Sequence, residues 1–214
     1  MSNFQKRILT SFPLLIISIY AIYNNVVLVL SLFIISSILI YEFSNILKNI
    51  LKINKINYFI FLNLFVFYIC LFATQIYFFL LGEFENKQTV FLFILSICIF
   101  TDVGGYIFGN IIKGKKLTSI SPNKTYAGMF GSFICSLIIC IYFIINFNFT
   151  INLIFFTLLI SLVSQVGDLF ISYLKRMANI KDTGNFLPGH GGLLDRMDGI
   201  IFAIPLGIKI FIFF

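Results

Sequence analysis

Residues Ile151 to Ser172, INLIFFTLLISLVSQVGDLFIS, decide how this chain folds. The run is continuously apolar rather than alternating, so it reads as a helix, and its length matches the roughly 20 residues that one bilayer crossing needs. In lipid only helices and closed barrels satisfy their backbone groups, which leaves a membrane-spanning helix. Comparable runs lie near 8–23, 26–41, 57–81, 90–112, 126–146 and 199–213, bounded by polar or turn residues such as Asn24-Asn25. The 214 residues are 60% hydrophobic and 11% charged, with a mean hydropathy of +1.04. A water-soluble domain of that composition could not cover its own surface. The expected fold is an all-α integral membrane protein of about seven transmembrane helices, forming a single polytopic domain over 1–214. The first two runs are short and read as a tight hairpin that is tilted or does not fully cross.

Orientation follows from the basic residues, which collect on the cytoplasmic side. With Lys6 and Arg7 inside, the loops holding Lys48, Lys52 and Lys55, then Lys113, Lys115, Lys116 and Lys124, then Lys175, Arg176, Lys181 and Arg196 also fall inside. The opposite side receives Glu83, Glu85, Lys87 and the turn at 146–150. The N-terminus is therefore expected in the cytoplasm, on an uncleaved first helix, since no small-residue cleavage site follows Arg7. The net charge of +7 then reads as a cytoplasmic face of Lys and Arg, and no nucleic-acid partner is expected. Cys70, Cys98, Cys135 and Cys140 lie in apolar runs without CxxC spacing or a second His, and are expected to be buried free thiols. The 29 Phe residues read as lipid-facing filler.

An ionised carboxylate inside a span costs at least about 2.5 kcal/mol, so Asp102 and Asp168 are candidates for function. Ser161, Ser164, Gln165, Asp168, Ser172 and Lys175 recur at three- and four-residue spacing and share one face of the sixth helix. That face lines a wet cavity, or else is a packing seam with an Asp168–Lys175 ion pair. Asp195 and Asp198 are three apart and share a helix face if the last helix begins there. With Asp168 they offer three hard oxygen ligands suited to Mg²⁺. Between them, Pro188-Gly189-His190-Gly191-Gly192 allows a tight turn and a close backbone approach to phosphate. Beside Lys175, Arg176, Lys181 and Arg196 the segment reads as a metal–phosphate site. Farther upstream, Ser121 reads as an N-cap with Pro122 opening the fifth helix, and Lys124 and Thr125 make its N-terminus an anion site. Asp102 sits with Gly104, Gly105, Tyr106 and Gly109 at the cytoplasmic end of the fourth span, where the glycines suit close helix packing equally well.

Ser172 to Asp198 resembles the segment S-x-x-K-R-x4-K-D-x-G-x3-P-G-H-G-G-x-x-D-R-x-D that marks phosphatidate cytidylyltransferases (CDP-diacylglycerol synthases). The match takes in Ser172, Lys175, Arg176, Lys181, Asp182, Gly184, Pro188, Gly189, His190, Gly191, Gly192, Asp195, Arg196 and Asp198. Gly167-Asp168-Leu169, Asp102 with Gly105-Tyr106 and Gly109, and Ser121-Pro122 with Lys124-Thr125 and Gly128 follow the family's other landmarks in order. The resemblance covers about 100–214, the catalytic region (91–214), while residues 1–90 match in hydropathy alone. Ile171, Asn123 and Ala127 depart from the family's usual Glu, Lys and Glu. The chain is also shorter than typical members, which implies fewer spans in its N-terminal half.

The resemblance implies a nucleotidyltransferase that joins CTP and phosphatidic acid into CDP-diacylglycerol and pyrophosphate, at the cytoplasmic ends of the C-terminal helices. It implies Mg²⁺ on Asp168 and Asp195, with a monovalent cation such as K⁺ nearby and Asp198 completing or orienting the shell. Lys175 and Arg176 would hold phosphates, with Ser172 donating to one. Ser121, Lys124 and Thr125 would face them, with Asp102, Lys181 and Arg196 completing the binding set, and His190 would structure the loop or bind phosphate. The expected location is the bacterial inner membrane, and the family leaves a homodimer open. Two alternatives differ in class. A CDP-alcohol phosphotransferase shares the D-x-x-D-G of Asp195 to Gly199 and would consume a CDP-lipid, whereas an ion-coupled transporter would move solute without nucleotide.

Overall fold

The computed structural model describes residues 16–51, 54–118, 121, 124–147, 152–184, 186 and 191–213. After α1, helical over 16–23, come α2 (Asn25–Ile50), α3 (Lys55–Leu81), α4 (Lys87–Ile112), α5 (Tyr126–Phe147), α6 (Leu153–Met177), α7 (Leu194–Met197) and α8 (Ile200–Phe213). No strand occurs among the described residues. An antiparallel bridge pairs Lys116 with Thr125.

Five helices, α2 to α6, are long and apolar enough to cross a membrane. The shortest, α5, has 22 residues, which at about 1.5 Å per residue exceeds the ~30 Å hydrocarbon core. The last of the seven expected runs forms α8, whose 14 residues extend only about 21 Å. The first lies partly outside the described residues. The second is not short: α2 continues to Ile50 for 26 residues, because Glu42, Ser44 and Asn45 are carried inside the helix rather than ending it. Asn24 separates α1 from α2 by accepting hydrogen bonds from the Val26 and Val27 amides, satisfying two donors that a helix start leaves open.

The chain divides into two compact units. One comprises Met1–Gln88 and Leu174–Met197. Its core forms where α2 meets α3. Leu39, Glu42, Phe43, Ile46 and Leu47 occupy one buried face of α2, and Phe65, Ile69, Phe72, Ile76 and Phe79 the buried face of α3. Phe43 and Phe65 stack with centroids 3.7 Å apart. At the end of α6, Asn179 takes φ 55° and the Ile180 amide returns to the Lys175 carbonyl at 3.0 Å, a left-handed cap that Asn tolerates. The chain then runs through 181–184 and returns as α7, which touches α2.

The other unit, Thr89–Tyr173 with Asp198–Phe214, is built on small residues. A Cβ at Gly104 would lie 2.5 Å from the Gly131 carbonyl oxygen, and one at Gly128 would lie 2.8 Å from that of Gly105. The α4 glycines thus serve close packing on α5, the second of their two readings. In lipid, where apolar burial adds little, such approach is what holds helices together. Ser132 donates to the Thr101 carbonyl at 2.7 Å and Thr101 donates to Ser161 at 2.9 Å, joining α5, α4 and α6. Phe93 sits among Phe143 and Phe156. A Cβ at Gly199 would meet Ser164 Oγ at 2.4 Å, so the approach to α8 also depends on glycine. All four cysteines are free. Cys98 and Cys140 are buried as expected, Cys135 is half-buried, and Cys70 lies exposed on α3.

Candidate active site

Within the second unit a cavity of about 310 Å³ lies among α4, the segment before α5, and α6, and Asp102, Ser121, Lys124, Thr125, Gln165 and Asp168 line it. Lys124 forms an ion pair with Asp168, and Ser172 donates to Asp168 Oδ1 at 3.3 Å. The polar face of α6 is therefore divided: Ser161 belongs to the packing seam, whereas Gln165 and Asp168 face the cavity.

The helix beyond Ser121 starts later than the sequence suggests. α5 begins at Tyr126, and Thr125 caps it by accepting from the Gly128 amide at 3.1 Å. The segment before it is held extended, with the Leu117 amide on the Lys124 carbonyl and the Tyr126 amide on the Lys115 carbonyl. That pairing delays the helix past Ser121, whose own amide donates to Thr118 Oγ1 at 3.3 Å. Pro122 lies outside the described residues. Ser121, Lys124 and Thr125 all still line the cavity.

Asp198 is buried, and its Oδ1 accepts from the Gly199 amide at 2.9 Å. Burial first, then the neighbouring carboxylates of Asp168 and Asp102, push its carboxyl well above the ordinary range. A buried carboxyl beside two further carboxylates is a donor set of hard oxygens, and this fits a hard divalent cation. Among the described residues no three His, Cys, Asp or Glu side chains form a ready metal cage.

In the first unit Lys175 pairs with Asp195 Oδ1 at 2.7 Å, and both side chains are largely buried. Asp195 Oδ2 accepts from the Thr183 amide at 2.8 Å and the Gly192 amide at 3.2 Å, and the Thr183 hydroxyl lies 3.1 Å from it. Burial raises the Asp195 carboxyl, but Lys175 and these amides outweigh it and hold it below its usual value. The Gly192 N–H is thus spent on a carboxylate rather than held open for phosphate. Asp195 lies in α7 and Asp198 beyond it, with α8 beginning only at Ile200, so the two acids do not share a helix face. Arg176 occupies the last turn of α6, and Lys181 and Arg196 are exposed. Pro188, Gly189 and His190 lie outside the described residues.

Two residues absent from the sequence-based set stand at the centre of this unit. Glu42 of α2, 2% exposed, accepts from the Thr183 hydroxyl at 2.8 Å and from the Leu193 and Leu194 amides at 2.9 and 2.8 Å. The only signal for Glu42 was an acid interrupting an apolar stretch; Thr183 carried none beyond its place beside Asp182.

Fold and cavity define a membrane-embedded helical protein whose charged groups suit phosphate and divalent-cation chemistry. The sequence profile of the Cytidylyltransferase family matches residues 4–214, and the chain belongs to that family. The match reaches well into the first 90 residues, which had been legible by hydropathy alone. Among curated relatives, the phosphatidate cytidylyltransferase of Staphylococcus haemolyticus is 44% identical over 119 residues, 54% of this chain and 46% of the relative. Those of Staphylococcus saprophyticus and Staphylococcus aureus are 44% and 43% identical over the same shares. The chain spans about half the length of the curated relatives it matches.

Proposed function

We propose that the chain transfers the cytidylyl group of CTP to phosphatidic acid, releasing pyrophosphate and leaving CDP-diacylglycerol in the bilayer. The observation that carries this reading is the cavity beside the Asp198 carboxyl, in which Lys124 and Asp168 meet inside a membrane-spanning unit. Membership of the cytidylyltransferase family and the names of the relatives support it.

The reaction joins two anions. A phosphate oxygen of the lipid attacks the α-phosphorus of CTP, and the bond to the bridging oxygen of the β-phosphate breaks. Lys124, with the Ser121 and Thr125 hydroxyls, binds phosphate oxygens, and the Lys124–Asp168 pair orients that ammonium. The basic residues of the other unit, Arg176, Lys181 and Arg196, are proposed to bind phosphate oxygens too, with Lys175 fixed by Asp195. Asp168 with Asp198, and Asp195 in its own unit, are proposed as carboxylates for Mg²⁺. When bound, that ion offsets the repulsion between substrates and the charge on the leaving pyrophosphate. No side chain need remove a proton, because the attacking phosphate is already anionic at neutral pH. The distribution of basic residues supports a reaction on the cytoplasmic side of the inner membrane.

The purified chain, given labelled CTP, phosphatidic acid and Mg²⁺, is expected to form labelled CDP-diacylglycerol. Consumption of CDP-diacylglycerol with release of CMP, and no product from CTP, would reject this reading in favour of a phosphotransferase.

A further inference from the structure

We propose that Glu42, on α2, is a positioning residue that acts through the Thr183 hydroxyl to hold the Asp195 carboxylate, and the backbone at Thr183, Leu193 and Leu194, in working geometry. This rests on the reading that the 175–198 segment serves cytidylyl transfer. A buried acid in a bilayer-spanning helix is costly unless its oxygens are satisfied. Among the described residues Glu42 takes its donors from the distant segment: Oε1 takes the Leu193 amide, and Oε2 takes the Leu194 amide and the Thr183 hydroxyl.

Thr183 Oγ1 lies 2.8 Å from Glu42 Oε2 and 3.1 Å from Asp195 Oδ2. One hydroxyl proton cannot serve two carboxylates at once, so the position of Glu42 sets how Thr183 meets Asp195. The Thr183 amide on Asp195 Oδ2 fixes the same contact from the backbone. The glycines of the segment are shaped around this junction. A Cβ at Gly184 would lie 2.8 Å from Glu42 Oε1, and one at Gly192 would lie 2.0 Å from Thr183 Oγ1 and 2.6 Å from Glu42 Oε2. Gly184 and Gly192 therefore make room for Glu42, a residue more than 140 positions away. Two amides and a hydroxyl converging on one carboxylate fix Thr183, Leu193 and Leu194 relative to one another, beyond the packing that a Leu at position 42 would give.

The test uses the full chain in lipid nanodiscs. Glu42→Gln keeps the shape but turns an NH₂ toward donors, and Thr183→Val removes the hydroxyl while Thr183→Ser retains it. Residues that orient a metal-binding carboxylate are typically worth 10- to 100-fold in metal affinity or activity. We therefore expect Glu42→Gln and Thr183→Val each to lower kcat about 10-fold or more per folded molecule, and to raise the half-saturating Mg²⁺ concentration. The double variant should be no worse than the poorer single one, and Thr183→Ser should return to within about 3-fold of the parent. In the absence of substrate, hydrogen exchange of peptides over 183–194 should quicken in Glu42→Gln. Folded Glu42→Gln with parental kcat, Mg²⁺ dependence and exchange would overturn the proposal, as would effects of the two variants that simply multiply. If Glu42→Gln does not fold, Thr183→Val against Thr183→Ser decides: a Ser variant as impaired as Val overturns it. If the parent chain makes no CDP-diacylglycerol, the functional reading fails, and the exchange comparison still tests the link from Glu42 to the segment.

Discussion

Asp195 shows how one residue can be tied to both stability and chemistry. Its carboxyl is held below its usual value, so the stabilisation it provides is present above the unfolded value near pH 4 and is lost as pH falls through the lower folded value. Between pH 5 and 3 the melting temperature of the parent chain should fall more steeply than that of Asp195→Asn. At pH 7 the same variant leaves Lys175 buried beside a neutral amide, at a cost of about 3 kcal/mol in detergent unfolding. Asp102, Asp168, Asp195 and Asp198 were legible because an acid in an apolar chain needs a reason. Glu42 met that criterion too, yet neither the Ser172–Asp198 motif nor the landmarks around Asp102 and Asp168 reach it. Its partners, Thr183, Leu193 and Leu194, lie 141 to 152 residues away, and no local pattern records such a contact.

For the helices, hydropathy located α3, α4, α5, α6 and α8 closely, because the bilayer sets both their length and their composition. It erred where polar residues lie inside a helix, as Glu42, Ser44 and Asn45 do in α2. The cap reading rather than hydropathy erred at α5, where Ser121 and Thr125 are both good caps and the choice falls to the backbone pairing of 115–117 with 124–126. The seam between α4 and α5 carries a prediction of its own. A Cβ at Gly131 would already lie 2.3 Å from Phe108 Cβ, so Gly131→Leu forces the helices apart. The expected cost is about 3 kcal/mol, at the upper end for overpacking, seen as lost monodispersity on fluorescence-detected size exclusion. Gly114 has nothing within 4 Å of an added Cβ, although its φ of 103° is strained for other residues. Gly114→Asn, the side chain best tolerated at positive φ, should change the profile little.

For the molecule as a whole, the distribution of Lys and Arg commits to an orientation. A cysteine introduced at Lys116 should be shielded from a membrane-impermeant maleimide in intact cells, and one at Glu85 should be labelled, once the native cysteines are replaced. The reverse pattern would place the cavity on the wrong side for CTP. The central claim is that carboxylates and Lys124 of a membrane-spanning unit bring CTP and a lipid phosphate into reaction. Its most direct test is pyrophosphate release by the purified chain with Mg²⁺, with each substrate omitted in turn, alongside Asp168→Asn. Release is expected only when CTP and phosphatidic acid are both present, with a fall of about 100-fold or more in the variant, corresponding to roughly 3 kcal/mol of lost transition-state stabilisation. Release that ignores phosphatidic acid, or a variant as fast as the parent, would contradict it.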